Sequence, residues 1–244
     1  LEWEHDNLRA ALRATIDSGV AETALRLAGA LWRFWSERGH LGEGRRWLRE
    51  ALAAGGGVGA GTPAARGKAL VGAATLAIEQ GAFDEAADLC AQAVALARGC
   101  GAGHDLVGAL NVQGTLARVR NEYRAAAGYH GEALTRARAI GDSAGEAAAL
   151  DGLAYAATFA GDVAGGNALA EEGLVIFREL GDARGLAAAL VGLATQVSHA
   201  GDLARAEALA AEALALFRTL GDTGRMADAL WVLAVAAQLG GRHE

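Results

Sequence analysis

Apolar residues recur three and four positions apart along most of the chain, and the same ladder returns every 40 residues. Leu70 and Ala74, Leu110 and Gly114, Leu150 and Leu153-Ala154, Leu190 and Leu193-Ala194, and Leu230 with Leu233-Ala234 and Ala237 fall in one register. A spacing of i, i+3, i+4, i+7 lays one apolar stripe along a helix. A second ladder follows each first one and is built from small residues: Ala86, Cys90 and Ala93; Ala126 and Ala133; Ala170 and Gly173; Ala206, Ala210 and Ala213. Small side chains let a second helix approach the first closely. The pattern predicts a run of helical hairpins.

The turns agree with this reading. Gly-Asp stands at 141–142, 161–162, 181–182, 201–202 and 221–222, one copy every 20 residues. Glycine ends a helix because the position after the last turn is left-handed. The aspartate after it accepts from the unpaired N–H groups that open the next helix, so Asp182 and Asp222 are N-cap candidates, while Gly161 and Gly201 make tight turns inside hairpins. Thr62-Pro63 supplies an N-cap with proline in the first turn. Glycines within helices, at Gly72, Gly114, Gly152 and Gly192, suggest close helix contact. A 40-residue hairpin cannot bury its apolar face alone, so successive units must stack.

Leu190, Leu193, Ala194, Gly201, Leu203, Ala206, Ala210 and Ala213 together resemble the tetratricopeptide repeat, over roughly residues 22–244. The chain departs from that family in its 40-residue period and at Gly44 and Gly166, where the family prefers alanine. The resemblance implies an all-α fold, a right-handed superhelical solenoid of hairpins. Residues 1–54 form an N-terminal helix and an aromatic-rich first hairpin, from Leu25 to Arg38 and from Glu43 to Ala53. Trp32, Phe34, Trp35 and Trp47 seal it. Residues 55–63 form a glycine-rich joint on which this hairpin can pivot. The repeats occupy 64–244, as 64–100, 104–140, 144–180, 184–220 and an incomplete 224–244.

Composition narrows the function. The net charge of −7 disfavours electrostatic binding of nucleic acid by this chain. Cys90 and Cys100 make no disulfide framework, and Cys90 falls at an inward position. No secretory leader precedes the first helix, and the apolar stretch from Leu186 to Val197 is too short to span a bilayer. Reduced thiols in the cytoplasm, away from membranes, are expected.

Catalytic motifs are not found. Gly67-Lys68 is followed by Ala69 and preceded five residues earlier by Thr62, so it is no phosphate loop. Gly59-Ala60-Gly61 has no strand before it. His5, His40, His104, His130, His199 and His243 show no zinc-ligand spacing, and His130 reads as a packed core residue. Glu171-Glu172 point about 100° apart and face solvent. No enzyme activity, catalytic residue, metal or cofactor is expected.

A second resemblance bears on function. Glu4-His5-Asp6-Asn7-Leu8-Arg9-Ala10-Ala11-Leu12, then Leu25 to Trp35, Gly39-His40-Leu41, Glu43 to Leu48 and Glu50-Ala51-Leu52 look like the segment that joins the ATPase module to the helical repeats in large LuxR-type bacterial regulators of the STAND ATPase class. That implies a sensor domain that binds a small inducer or a regulatory protein and relays the event to ATPase and DNA-binding modules outside this chain. The alternative is a protein–protein adaptor recognising a peptide.

In the tetratricopeptide family the first helix of each hairpin lines the concave groove. That resemblance places Arg33, Lys68, Asn111, Arg118, Asp151, Tyr155, Phe159, His199, Asp228 and Trp231 there, beside Val71, Thr75, Thr115, Thr158, Thr195 and Gln238. Tyr155 and Trp231 are the leading contacts, since an aromatic offers rigid area with a polar handle. Arg33, Lys68 and Arg118 offer positive spots. The incomplete final hairpin leaves Leu230, Leu233 and Ala237 without a partner helix. The chain is therefore expected to come from a longer protein, with this face covered by a neighbouring molecule, self-association being one way to cover it.

Overall fold

A computed structural model describes residues 4–54 and 61–240. Most of the glycine-rich joint, and the four residues that end the chain, lie outside the described residues. The elements are α1 (His5–Asp17), α2 (Ala21–Glu37), α3 (Leu41–Ala54), α4 (Pro63–Glu79), α5 (Phe83–Cys100), α6 (Gly103–Val119), α7 (Tyr123–Ile140), α8 (Ser143–Phe159), α9 (Val163–Leu180), α10 (Ala183–His199), α11 (Leu203–Leu220) and α12 (Thr223–Leu239). Among the described residues all regular structure is helical, and the fold is a repeat of antiparallel helical hairpins. The chain divides into two compact units, Leu1–Leu116 and Ala117–Glu244.

One aspartate closes one helix and opens the next. The Asp182 N–H donates to the Phe177 carbonyl at 3.1 Å, and its Oδ1 accepts from Gly185 N at 3.0 Å. Gly181 between these helices is left-handed at φ +65°, which a glycine adopts without penalty. Asp142 and Asp222 cap α8 and α12 in the same way, and so do Asp162 and Asp202 inside their hairpins. Thr62 caps α4 through Ala65 N, with Pro63 in the first turn. The Thr62 hydroxyl also donates to Glu22 at 3.0 Å, tying the start of α4 to α2.

In the first unit α2 packs on α3 and α4 around Leu25, Leu31, Trp35, Trp47 and Leu48, all buried. α2 begins four residues before the expected Leu25, because the apolar face already starts at Ala21 and Ala24. Gly29 sits where α2 meets α4: a Cβ there would lie 3.3 Å from the Ala69 nitrogen. In the second unit Leu174, Phe177, Leu190, Leu193, Val197, Leu214 and Phe217 form the core.

The glycines that depart from the family pattern have steric causes. A Cβ on Gly44 would meet Leu76 and Trp35 at 2.7–2.8 Å, and one on Gly166 would meet the Thr158 hydroxyl at 2.1 Å. Inside helices, a Cβ on Gly72 would meet Trp32 at 2.7 Å, and one on Gly152 would meet the His130 ring at 2.3 Å.

α12 corrects one expectation. Leu230 is 47% exposed, but Leu233 packs against the cluster of Ala194, Ala210 and Val232 and Ala237 is partly buried. Of the three residues expected to lack a partner, Leu230 alone is open.

Candidate functional site

Each repeat places the same register position on its first helix. In three repeats that position is threonine, and each hydroxyl turns back to its own helix: Thr75 to the Val71 carbonyl at 2.9 Å, Thr115 to Asn111 at 3.0 Å, Thr195 to Val191 at 2.9 Å. On α8 the position is Tyr155, and here the surface changes character. Tyr155 stacks on Phe159 one helical turn later, with ring centroids 4.4 Å apart. Tyr123, at the start of α7, stacks on Phe159 at 5.3 Å. His199, at the end of α10, meets Phe159 edge-on at 5.9 Å. The Arg118 guanidinium, at the end of α6, lies 4.7 Å over the Tyr155 ring, a cation–π geometry. Three helices, α7, α8 and α10, thus build one aromatic surface within the second unit, with Arg118 over it.

Tyr123 was not among the expected site residues. Its hydroxyl donates to Asn121 Oδ1 at 2.7 Å, and Asn121 has φ +62°. The other repeat hairpins place Gly81, Gly161 and Gly201 at this turn, also left-handed. Asparagine is among the few other residues that tolerate the conformation. Here it also fixes the tyrosine, and that exchange was the available sequence signal.

One turn before Tyr155 stands Asp151, partly buried. Its Oδ1 lies over Gly192 of α10, where a Cβ would come within 3.2 Å. Burial pushes its carboxyl above the usual aspartate range, against the opposing pull of Arg118 and Arg225. Among the described residues Asp151 makes no hydrogen bond and no close ion pair. Phe159 is 37% exposed, so the aromatic end of the surface is open as well.

The remaining expected residues do not join this surface. Trp231, 57% exposed on α12, makes no ring contact among the described residues. It occupies the Asp151 register position two repeats later. Asp228 is exposed on the same helix. Arg33, Lys68 and Asn111 belong to the first unit. Arg33 stacks 5.4 Å over Trp32, Lys68 is exposed, and Asn111 is partly buried.

The first unit has a polar cluster of its own. Arg9 grips Glu43 through two bonds of 2.7 Å, and Trp47 Nε1 donates to the same carboxylate at 3.1 Å. The Arg9 bonds chiefly hold the Glu43 carboxyl down, at about 2. His5 packs against His40 and Phe34, with centroids 4.7 and 5.3 Å away. Arg9, Glu43 and Trp47 satisfy one another, while His5 Nε2 lies buried 3.4 Å from the Glu43 carboxylate without a hydrogen bond. The adjoining depression of 360 Å³, lined by Arg9, Gly42, Glu43 and Arg46, is shallow.

Cys90 and His130 are buried, 1% and 2% exposed. Glu171 and Glu172 bind Arg205 and Arg138 on the adjacent helices. No helix among the described residues is long and apolar enough to cross a membrane. Among them no group of three His, Cys, Asp or Glu side chains is placed to hold a metal ion.

No protein-family model matches the chain, and no curated protein matches it. Solved structures do. BtubC (BKLC) of P. vanneervenii superposes with a TM-score of 0.59 at 21% identity, over 86% of this chain and 92% of that one. A STAND protein with a tetratricopeptide repeat sensor, from Pyrococcus horikoshii, matches with a TM-score of 0.61 at 15% identity, over 88% of this chain and 34% of that one. A Rap protein complexed with Competence and Sporulation Factor matches at 0.60 and 15% identity, over 99% of this chain and 74% of that one. At these identities the likeness defines the fold: a tetratricopeptide-like array of helical hairpins.

Proposed function

We propose that the chain is the ligand-sensing repeat domain of a LuxR-type STAND-class transcriptional regulator. It is non-catalytic, needs no cofactor and resides in the cytoplasm. It binds a regulatory peptide, protein or small inducer on the second unit and relays that event to modules outside this chain. The observation that carries the reading is the surface of Tyr123, Tyr155, Phe159 and His199 with Asp151 beside it. Open stacked rings, and a carboxylate with no hydrogen-bond partner among the described residues, add nothing to a repeat scaffold and suit a ligand. The STAND neighbour, whose repeat region is a sensor, supports the same direction. So does the Rap neighbour, whose structure is a complex with Competence and Sporulation Factor.

The test is a thermal-shift panel of peptides, sugars and nucleotides. A ligand that binds only the folded chain raises its melting temperature, and Tyr155→Ala is expected to abolish that rise while helicity is kept. An adaptor without an ATPase is the second reading. It is favoured by BtubC, which the array covers over 92% of its length. A nucleotide-binding module encoded upstream separates the two.

A further inference from the structure

Most structural aspartates in this chain are accounted for by what they hold. Asp142, Asp162, Asp182, Asp202 and Asp222 each accept a backbone N–H at 2.9–3.2 Å and cap a helix. Asp151 sits in the middle of α8, caps nothing, and has no hydrogen-bond partner among the described residues. An ionised carboxylate drawn partly out of water without a partner is disfavoured. A scaffold role does not require one.

The nearest cation does not supply the missing partner. Arg118 spends its guanidinium on the Tyr155 face at 4.7 Å and forms no close pair with Asp151. Gly192 leaves the space into which the carboxylate leans. The acid therefore stays open beside rings that already accommodate one guanidinium. Carboxylates bind guanidinium groups through two parallel hydrogen bonds, and tyrosine and phenylalanine faces attract the same group.

The second anchor lies along the same helix. Asp151 and Phe159 are eight residues apart on α8, which is about 12 Å at the helical rise. An extended peptide covers that distance in about three to four residues. Asn121 and Tyr123 hold the far side of Phe159 in place, so the aromatic anchor is set before a ligand arrives.

Resting on the sensor reading above, we infer that the ligand is a peptide segment with an arginine three or four residues from an aromatic side chain. The arginine pairs with Asp151, and the aromatic residue stacks on Phe159.

Selection of phage-displayed random dodecapeptides on the intact chain tests this, followed by fluorescence anisotropy with the enriched sequences. The expected consensus carries arginine and an aromatic at that spacing. Affinity is expected to fall about tenfold or more in Asp151→Asn, the loss of one charge-assisted pair, and to fall in Phe159→Ala. Replacing the peptide's arginine by citrulline weakens binding to the parent chain and changes little in Asp151→Asn. Asp151→Asn is expected to melt no lower than the parent, because no folded-state partner is lost; a lower melting temperature would make Asp151 a structural residue. Peptides enriched without a basic residue, or bound equally by Asp151→Asn, overturn the inference while leaving the sensor reading in place. No enrichment at all overturns it too, and with a silent thermal-shift panel the sensor reading falls as well.

Discussion

Gly152→Ala is the sharpest perturbation the fold offers. His130 occupies the middle position of the small-residue ladder on α7, where the equivalent residues are Cys90, Ala170 and Ala210. It is 2% exposed, and an added Cβ on Gly152 would sit 2.3 Å from its ring atoms. Carbon atoms in contact need more than an ångström beyond that, and the ring has no free volume to retreat into. Overpacking of this kind costs about 1–3 kcal/mol. Replacing a helical glycine by alanine returns about 1 kcal/mol, so the net loss is up to about 2 kcal/mol. In a His130→Ala background the clash is absent, and the same substitution should stabilise by about 1 kcal/mol. The assay is a double-mutant cycle by urea denaturation, followed by far-ultraviolet circular dichroism. A change of sign between backgrounds is expected; equal, additive losses would refute the packing argument.

The cycle also has a pH signature. Burial, with a smaller contribution from Arg118, holds the His130 pKa down at about 4, against 6.5 for a free imidazole. Between those values the unfolded chain binds the extra proton, so stability falls as pH drops from 6.5 towards 4. The loss is at most about 3 kcal/mol. His130→Ala should flatten that slope.

Three further outcomes are expected. The Glu43 carboxyl, held at about 2 by Arg9 against 4.5 when free, stabilises the first unit above pH 4.5, and that contribution is lost as pH falls towards 2. Allowing for solvent screening it is worth about 1–2 kcal/mol, and an acid titration of parent against Glu43→Gln should show the parent losing its advantage in that window. Gly166→Ala would press a Cβ against the Ala154 carbonyl at 2.7 Å and the Thr158 hydroxyl at 2.1 Å; backbone cannot yield as a side chain can, so calorimetry should show destabilisation of about 2 kcal/mol or more. Asp182→Ala removes the acceptor of Gly185 N and should cost about 1 kcal/mol in the same measurement, while Asp182→Asn should restore most of it.

The hairpins were legible because their signals repeat. Apolar stripes and Gly-Asp turns each mark a position that local physics dictates, and the caps at Asp142, Asp182, Asp222 and Thr62 formed accordingly. Gly44 and Gly166 looked like departures from the family because their reasons are tertiary: Trp35, Leu76 and Thr158 come from other parts of the fold. The pairing of His130 with Gly152 was hidden for the same reason, although each was readable alone as a core histidine and a close-contact glycine. At the candidate surface, the family resemblance named Tyr155, Phe159, His199 and Arg118, which the structure places in mutual contact, and Asp151 one turn before Tyr155. It also named Trp231, which makes no ring contact among the described residues. It did not name Tyr123, which lies on a second helix and enters through the Asn121 turn.

A repeat array carries its own reference, since each structural task is set once every 40 residues and solved with similar residues. A departure therefore calls for compensation if it serves the fold. His130 has it, because Gly152 opens the space its ring fills. Tyr155 in place of threonine is partly buried, with its ring over Phe159 and under Arg118. Asn121 in place of glycine accepts left-handed strain and spends its side chain on Tyr123. Asp151 stands where other repeats carry Val71, Asn111, Val191 and Trp231; Gly192 leaves room for its carboxylate, but the exchange brings no hydrogen-bond partner among the described residues. These departures fall together on one face of one hairpin and its neighbours, rather than scattering through the array as packing alone would leave them, and that grouping is what supports the proposed ligand surface.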